Sequence, residues 1–442
     1  MGTRRHTGEV VAWALSLVPL LLWLVGGGLE GGTAGPRRGS SGSFGLLVAQ
    51  AAGLVGMAML AVSVVLAARL RWLEDYFGGL DGLYRAHHRL GITAVGLLVL
   101  HPVALALRFV PARPGKALAL FGPGHGQWAV EVGVVAFWGL VLLIGVTYAS
   151  WVPYDTWTWT HKALGLVLAA GAVHMWFVAG TPGRGVAVAA QPLLWGYMTA
   201  VVGAGLLAVV YKTILLPLRP GVPYTVAAVD RRSDDVMEVT LGPEGRPLDF
   251  VPGQFVFVTV HDDAVTSEAH PYTLCGPADA ETLTITIKAL GDYTRRLYER
   301  LAPGMAVSLE GPYGRFDYRM GGDRQIWVAG GVGVAPFLSW ARNRAADGAA
   351  APDVDFYYCV HDRTDAVYRE ELEALARTAS WLDVVLVCSV EDGHLHADDI
   401  PALEGADVFL CGPHTLTRDL RRQLRRRGVP KARIHFEDFE FR

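Results

Sequence analysis

Residues 87–101 read HHRLGITAVGLLVLH, and residues 161–174 read HKALGLVLAAGAVH. Each stretch is almost wholly apolar between histidines, with His87 and His101 14 residues apart and His161 and His174 13 apart. An α-helix rises ~1.5 Å per residue, so each pair spans roughly 20 Å, about two-thirds of a bilayer core of ~30 Å. Two such helices side by side present two levels of paired imidazoles, His87 with His161 and His101 with His174. Each level is suited to clamp one haem iron. A lone intramembrane histidine is often only an interhelical hydrogen bonder. Two pairs at matched depth favour metal ligation, because ionisable residues inside a membrane mark function by default. On an ideal helix 14 residues return to within ~40° of one face whereas 13 miss by ~140°. The second pair therefore requires a kink near Gly165 or Gly171, or a different ring approach. His88 competes with His87 for the inner level, and His125 falls in a loop.

Working outward, six apolar windows run approximately 10–28, 44–68, 88–110, 127–150, 160–180 and 191–215. Most are long enough to span a bilayer as helices, the structure that satisfies its own backbone in lipid. The first is expected to be a retained span rather than a signal peptide, since no A-x-A-like site follows it. An even number of spans puts both chain ends on one side. Counting Lys and Arg gives nine on that near side (Arg4, Arg5, Arg69, Arg71, Arg85, Arg89, Lys162, Lys212, Arg219) and six on the far side (Arg37, Arg38, Arg108, Arg113, Lys116, Arg184). This is a weak positive-inside bias. Trp151, Trp157 and Trp159 lie where an interfacial aromatic belt in contact with lipid belongs.

The second half has a different character. Residues 1–216 carry 14 Lys+Arg and 7 Asp+Glu, and the remaining 226 carry 25 and 35, which reads as a membrane domain joined to a mildly acidic soluble one. No basic-aromatic stripe points to nucleic acid. Cys275, Cys359, Cys388 and Cys411 match no zinc or iron–sulfur spacing, and no C-x-x-C-H offers covalent haem attachment. Pro217–Pro223 is a short Pro-rich linker. Alternating segments at Tyr224–Val229, Val236–Leu241, Gln254–Val260, Leu283–Lys288 and Val307–Glu310 suit a small antiparallel barrel. From about residue 324 strands alternate with helices: strands at Gln325–Ala329, Asp355–Val360, Val384–Val387 and Val408–Cys411, with a helix at 366–377. That alternation predicts a doubly wound parallel α/β sheet. Gly330-Gly331-Val332-Gly333-Val334-Ala335-Pro336 opens a helix after the first of these strands, and such a turn lets a phosphate reach backbone N–H groups. The expected fold is thus a six-helix transmembrane bundle (1–216), an antiparallel β-barrel (217–322) and an α/β doubly wound domain (323–442).

These motifs together resemble the bacterial ferric reductase and NADPH oxidase superfamily over roughly residues 44–442. The second half resembles a ferredoxin–NADP reductase-type flavoprotein module. His270-Pro271-Tyr272-Thr273 is similar to the family's H-P-[FY]-[ST] motif, which implies contacts to the isoalloxazine and ribityl parts of FAD. Ile287 to Thr294, which includes Lys288, resembles the second flavin motif, implying that Gly291 and Thr294 meet the pyrophosphate. Gly311-Pro312-Tyr313-Gly314 closes the barrel in the same family. Gly330, Gly331, Gly333 and Pro336 resemble its nicotinamide-nucleotide loop, and Cys411-Gly412-Pro413 its C-G-P motif, which would set Cys411 beside hydride transfer. His87-x-x-Leu90-Gly91 and the histidine spacings resemble the family's two bis-histidine b-type haem sites. The family often ends on an aromatic that covers the flavin; here Phe441 is penultimate and is the candidate lid, with Phe439 second.

The resemblance implies an NAD(P)H-dependent ferric reductase or NADPH oxidase-like enzyme. It would carry electrons from cytosolic NADPH (or NADH) through FAD and two haem b groups to the far side of a bacterial-type inner membrane. Arg363 is a candidate for a coenzyme 2′-phosphate. The acceptor is a ferric chelate or dioxygen; the outer loops 111–126 and 181–190 contain no Asp or Glu. Two other readings stay open: an electron donor to a partner redox protein, and a membrane-anchored flavin reductase without haem.

Overall fold

The computed structural model describes residues 7–26, 41–149, 151–179, 191–262, 265, 267–347 and 352–437. They fall into two compact units, one of His6–Phe77 and Gly82–Arg219, the other chiefly Pro220–Arg442.

The first unit is helical. Among the described residues six helices are long and apolar enough to cross a membrane. In chain order they are α1 (Thr7–Val25), α2 (Ser41–Leu66), α3 (Leu80–Leu107) and α4 (Trp128–Tyr148), then α5 with α6 (Tyr154–Lys162 and Leu164–Ala179), then α7 (Pro192–Val210). The protein is a multi-pass membrane protein. Helix α4 packs on α6, and α2 packs on α1 and α7. Small residues set the closest approaches, as lipid supplies no hydrophobic drive between helices. A Cβ on Gly205 of α7 would stand 3.0 Å from the Ala61 Cα of α2.

The fifth span is not one continuous helix. Ala163 separates α5 from α6, and the N–H of Leu166 donates to Ala163 O only three residues back. This tightened turn falls between His161 and His174, so their phase is not that of an ideal helix. The break lies two residues before Gly165, and Gly171 stays inside α6 against Met57.

The second unit holds two sheets. The first is six-stranded and antiparallel: β1 (Val222–Arg231), β2 (Val236–Pro243), β3 (Phe255–His261), β4 (His270–Thr273), β5 (Leu283–Lys288) and β6 (Ala306–Tyr313), in the order β4-β3-β6-β1-β2-β5. Period-two alternation builds it: on β2, Met237, Val239 and Leu241 are buried while Glu238 and Thr240 face the other way. One bridge, Leu274 to Ile285, ties the β4 edge to β5, so the sheet curls into an incompletely closed barrel. Strand β4 escapes sequence reading because it is four residues long and contains Pro271, which cannot donate; it sits where proline is tolerated, at a sheet edge. Helix α8 (Asp292–Arg300) follows β5.

The second sheet is parallel. It holds β7 (Arg324–Gly330), β8 (Asp353–Val360), β9 (Leu382–Cys388), β10 (Asp407–Cys411) and β11 (Ile434–Glu437), ordered β11-β10-β7-β8-β9. Helices α9 (Ala335–Asp347), α10 (Arg369–Thr378) and α11 (His414–Arg426) connect the strands. Residues 325–330 of β7 are all buried, as a parallel strand covered on both faces must be. Strand order reverses between β7 and β10, and in such sheets ligands bind at the carboxyl ends flanking that switch point. Edge strand β11, four residues long with polar His435 and Glu437, carried no strand signal.

Candidate functional site

In the parallel sheet the two strands beside the switch point end on the two glycine motifs. Strand β7 ends at Gly330 and leads through the turn Gly331–Val334 into α9, while β10 ends at Cys411 and leads through Gly412 and Pro413 into α11. The loops cross so closely that only glycine fits. A Cβ on Gly333 would stand 2.5 Å from the Cys411 carbonyl oxygen, and one on Gly412 2.8 Å from the Gly330 nitrogen. Gly331 has φ +54° and open space around the position a Cβ would take, so a ligand can approach its backbone. Cys411 is fully buried, and Pro336 occupies the first turn of α9.

In the antiparallel sheet, His270, Pro271, Tyr272 and Thr273 form β4, paired with β3 so that Tyr272 opposes Val256. His270 stacks on Tyr293 at 3.9 Å and lies 3.0 Å from Glu268. The Tyr272 hydroxyl is buried without a hydrogen-bond partner, and burial raises its pKa. Gly291 precedes α8 with nothing within 4 Å of its Cβ position. The Thr294 hydroxyl accepts the N–H groups of Leu290 and Gly291 at 3.0 Å, so it caps its own helix. Lys288 pairs with Asp235 at 3.3 Å. An orphaned buried hydroxyl on β4 and an open glycine before α8 are features that a bound flavin nucleotide would satisfy.

One arrangement here left no trace in sequence. Arg342 of α9 donates Nε and Nη2 to Glu371 (2.7 and 2.9 Å), Nη2 to Glu238 of β2 (3.0 Å) and Nη1 to the Cys275 carbonyl (3.0 Å). The guanidinium thereby ties the parallel sheet to the antiparallel one. Burial favours a lowered arginine pKa, but these partners raise it. Burial likewise pushes Glu238 up, and Arg342 and Arg232 more than offset this, leaving it lowered. Burial pushes the Cys275 thiol up to about 12, which makes it an unreactive packing residue. Arg363 donates Nε to Glu391 at 2.7 Å. Phe439 and Phe441 lie outside the described residues.

In the membrane unit the rings of His87 and His161 stand 5.9 Å apart, centroid to centroid, and those of His101 and His174 6.3 Å. Two imidazoles sharing one metal through ring nitrogens at ~2.0–2.1 Å would place their centroids roughly 6 Å apart, so both separations fit. The Nδ1 atoms add a second test. His101 Nδ1 lies 2.8 Å from Ala49 O, His174 Nδ1 2.8 Å from Ala129 O, and His87 Nδ1 2.9 Å from Ser63 O. A carbonyl only accepts, so in these three rings Nδ1 carries the proton and Nε2 keeps its lone pair for a metal. His161 differs: its Nδ1 is buried without a partner and its ring stacks on Trp157 at 5.2 Å. Among the described residues no group of three or more His, Cys, Asp or Glu side chains converges on a metal position. The donor sets are therefore two-histidine ones, which suit an iron whose other positions a porphyrin fills. His125 sits in a loop with Nδ1 3.6 Å from Glu131.

Comparison with known families gives three consecutive matches. They are a ferric reductase like transmembrane component over residues 52–172, an FAD-binding domain over 222–317 and an oxidoreductase NAD-binding domain over 327–422. Among curated relatives, the ferredoxin–NAD(+) reductase component of an alkene monooxygenase system from Xanthobacter autotrophicus is 32% identical over 44% of this chain. A ferredoxin–NAD(P)(+) reductase component of naphthalene 1,2-dioxygenase/salicylate 5-hydroxylase systems from a Ralstonia species is 30% identical over 49%. Methane monooxygenase component C from Methylosinus trichosporium is 32% identical over 38%. This chain spans 63%, 68% and 51% of the lengths of those relatives respectively.

Proposed function

Since the chain belongs to the ferric reductase/NADPH oxidase superfamily, an NAD(P)H-dependent oxidoreductase with flavin, nicotinamide-nucleotide and ferric reductase-like transmembrane parts, we propose that it moves electrons across a membrane. The donor is NAD(P)H on the cytoplasmic side of a bacterial-type inner membrane. The acceptor is a ferric chelate or dioxygen on the far side. The parts divide as 1–216 for the haem-binding bundle, 217–322 for the FAD barrel and 323–442 for the nucleotide domain. The observation that carries this reading is the pair of two-histidine levels at iron-bridging separation, three of whose four rings have Nδ1 committed to a carbonyl.

His87 with His161 would hold the inner haem and His101 with His174 the outer one, each through Nε2. FAD at β4 and α8, together with these haems, would supply conversion of a two-electron donor into single-electron relays. The chain's own residues supply the rest. Gly330, Gly331, Gly333, Gly412 and Pro413 keep the two loops thin, so backbone N–H groups at the start of α9 meet a pyrophosphate. Cys411 holds the end of β10 beside the nicotinamide position. Pro271, Tyr272 and Thr273 with Gly291 bind the flavin; His270, Lys288 and Thr294 hold those segments through Tyr293, Asp235 and the cap of α8.

The setting of Arg363 favours NADH. Its Nε is taken by Glu391, and Asp362 adjoins it, so a 2′-hydroxyl suits the acidic surroundings better than a 2′-phosphate. A second reading, donation to a partner redox protein, draws support from the relatives, which are reductase components of multi-protein oxygenase systems.

The test uses inside-out vesicles with a ferric chelate trapped in the lumen and NAD(P)H added outside. Lumenal iron should be reduced by the natural chain. It should not be reduced by His101→Ala or His174→Ala, which keep flavin reduction. Lumenal reduction that persists in both variants overturns the proposal. Lumenal reduction appearing only when a redox protein is added selects the second reading.

A further inference from the structure

The two outer histidines are seated identically on two different helices. His101 Nδ1 meets Ala49 O of α2 at 2.8 Å, and a Cβ on Gly53, one turn further along, would stand 2.9 Å from that same nitrogen. His174 Nδ1 meets Ala129 O of α4 at 2.8 Å, and a Cβ on Gly133 would stand 2.3 Å from it. Both seats thus consist of a carbonyl at position i and a glycine at i+4. In an α-helix those positions lie on one face, one turn apart. The ring rests over the bare glycine Cα and reaches down to a carbonyl that would otherwise serve only its own helix. This is not a general property of glycine in these spans: Gly96 of α3 and Gly145 of α4 have nothing within 4 Å of their Cβ positions.

The inner level is built differently. His87 Nδ1 lies 2.9 Å from Ser63 O and 2.8 Å from Ser63 Oγ, and that hydroxyl also donates to His87 O at 3.1 Å. Ala67 stands at i+4 from Ser63, where the outer seats have glycine. His161 has no partner for Nδ1.

We propose that Ala49–Gly53 and Ala129–Gly133 are matched positioning seats for the outer haem alone. Each carbonyl fixes the proton on Nδ1, and each glycine admits the ring at the depth where Nε2 faces its opposite number. The inference rests on the haem reading above and assigns to it two residues, Gly53 and Gly133, that touch no iron. A ring displaced by a methyl group cannot keep both its carbonyl and its metal, because 2.9 Å and 2.3 Å are closer than a Cβ approaches a ring atom.

The experiment uses the full chain purified in detergent. Haem per FAD is measured by pyridine haemochrome, alongside a spectroelectrochemical titration. Gly53→Ala and Gly133→Ala should each fall from two haems per FAD to one, with FAD retained and the remaining haem at a wild-type midpoint. Gly96→Ala and Gly145→Ala should keep both haems. Adding Gly53→Ala to His101→Ala should change neither haem content nor melting temperature beyond His101→Ala alone, since the ring it displaces is gone. This double variant tests the idea even where Gly53→Ala alone fails to assemble. The proposal is overturned if Gly53→Ala and Gly133→Ala keep two haems at unchanged midpoints, if both haems are lost together, or if the double variant is further destabilised. A natural chain without haem would instead overturn the haem reading on which the seats depend.

Discussion

Replacing Arg342 with methionine should loosen the grip between the two sheets of the second unit. The side chain is 14% exposed and makes five hydrogen bonds, to both oxygens of Glu371, to Glu238, and to the carbonyl oxygen and sulfur of Cys275. Breaking a buried ion pair by removing one partner costs about 3–5 kcal/mol. Two features reduce this. Glu371 is 33% exposed and regains water, and Glu238 keeps Arg232 at 2.9 Å. The net expectation is about 2–3 kcal/mol. For a unit of this size, that lowers the melting temperature by roughly 5–10 °C. The assay is the temperature at which FAD fluorescence is released from the detergent-purified chain. Arg342→Lys should recover only part of the loss, because a single ammonium cannot reproduce the two-pronged contact to Glu371. A release temperature within about 2 °C of wild type for Arg342→Met would refute the claim that this guanidinium holds the sheets together.

Other outcomes follow from the same geometry. Tyr272→Phe should stabilise the flavin-free protein by about 1 kcal/mol by removing an orphaned hydroxyl, and should weaken FAD binding roughly tenfold if the flavin is that hydroxyl's partner; fluorescence titration of stripped protein decides. Gly333→Ala, whose methyl would strike the Cys411 carbonyl, should raise the KM for NAD(P)H at least tenfold with flavin content little changed. Because Glu238 is held below its ordinary pKa, its contribution to stability is complete above the unfolded value of about 4.3 and is lost as pH falls through the lower folded value. The flavin-release temperature should therefore drop more steeply in acid for wild type than for Glu238→Gln. Freeing Arg363 by Glu391→Gln should shift the ratio of kcat/KM severalfold toward NADPH, and an unchanged ratio would remove Arg363 from the coenzyme site.

Much of the architecture was legible because it rests on strong periodic signals. Six charge-poor windows of helical length dictate spans, and period-two alternation in Val236–Leu241 dictates a strand. The buried run 325–330, followed at once by glycines, dictates a parallel strand with a phosphate turn. Short edge strands were not legible, since β4 carries a proline and β11 carries charge. The break in the fifth span was legible only to within a turn: the phase of His161 and His174 called for a kink near Gly165 or Gly171, or a different ring approach, and the chain breaks at Ala163, two residues before Gly165. The partners of the histidines were out of reach for a deeper reason. Ala49 and Ala129 act through main-chain carbonyls, which every residue owns, so no residue type announces them. Arg342 was hidden likewise, as its three partners come from β2, α10 and the loop after β4, distant in sequence.

The central claim is that two histidine pairs inside the membrane each hold one b-type haem fed from the flavin side. The most direct measurement is an anaerobic absorption spectrum of the purified full chain, before and after adding NADH or NADPH, with haem and FAD quantified on the same sample. Two haems per FAD, both becoming reduced after the flavin bleaches, is the predicted result. Flavin bleaching with no Soret band would contradict it and leave a membrane-anchored flavin reductase.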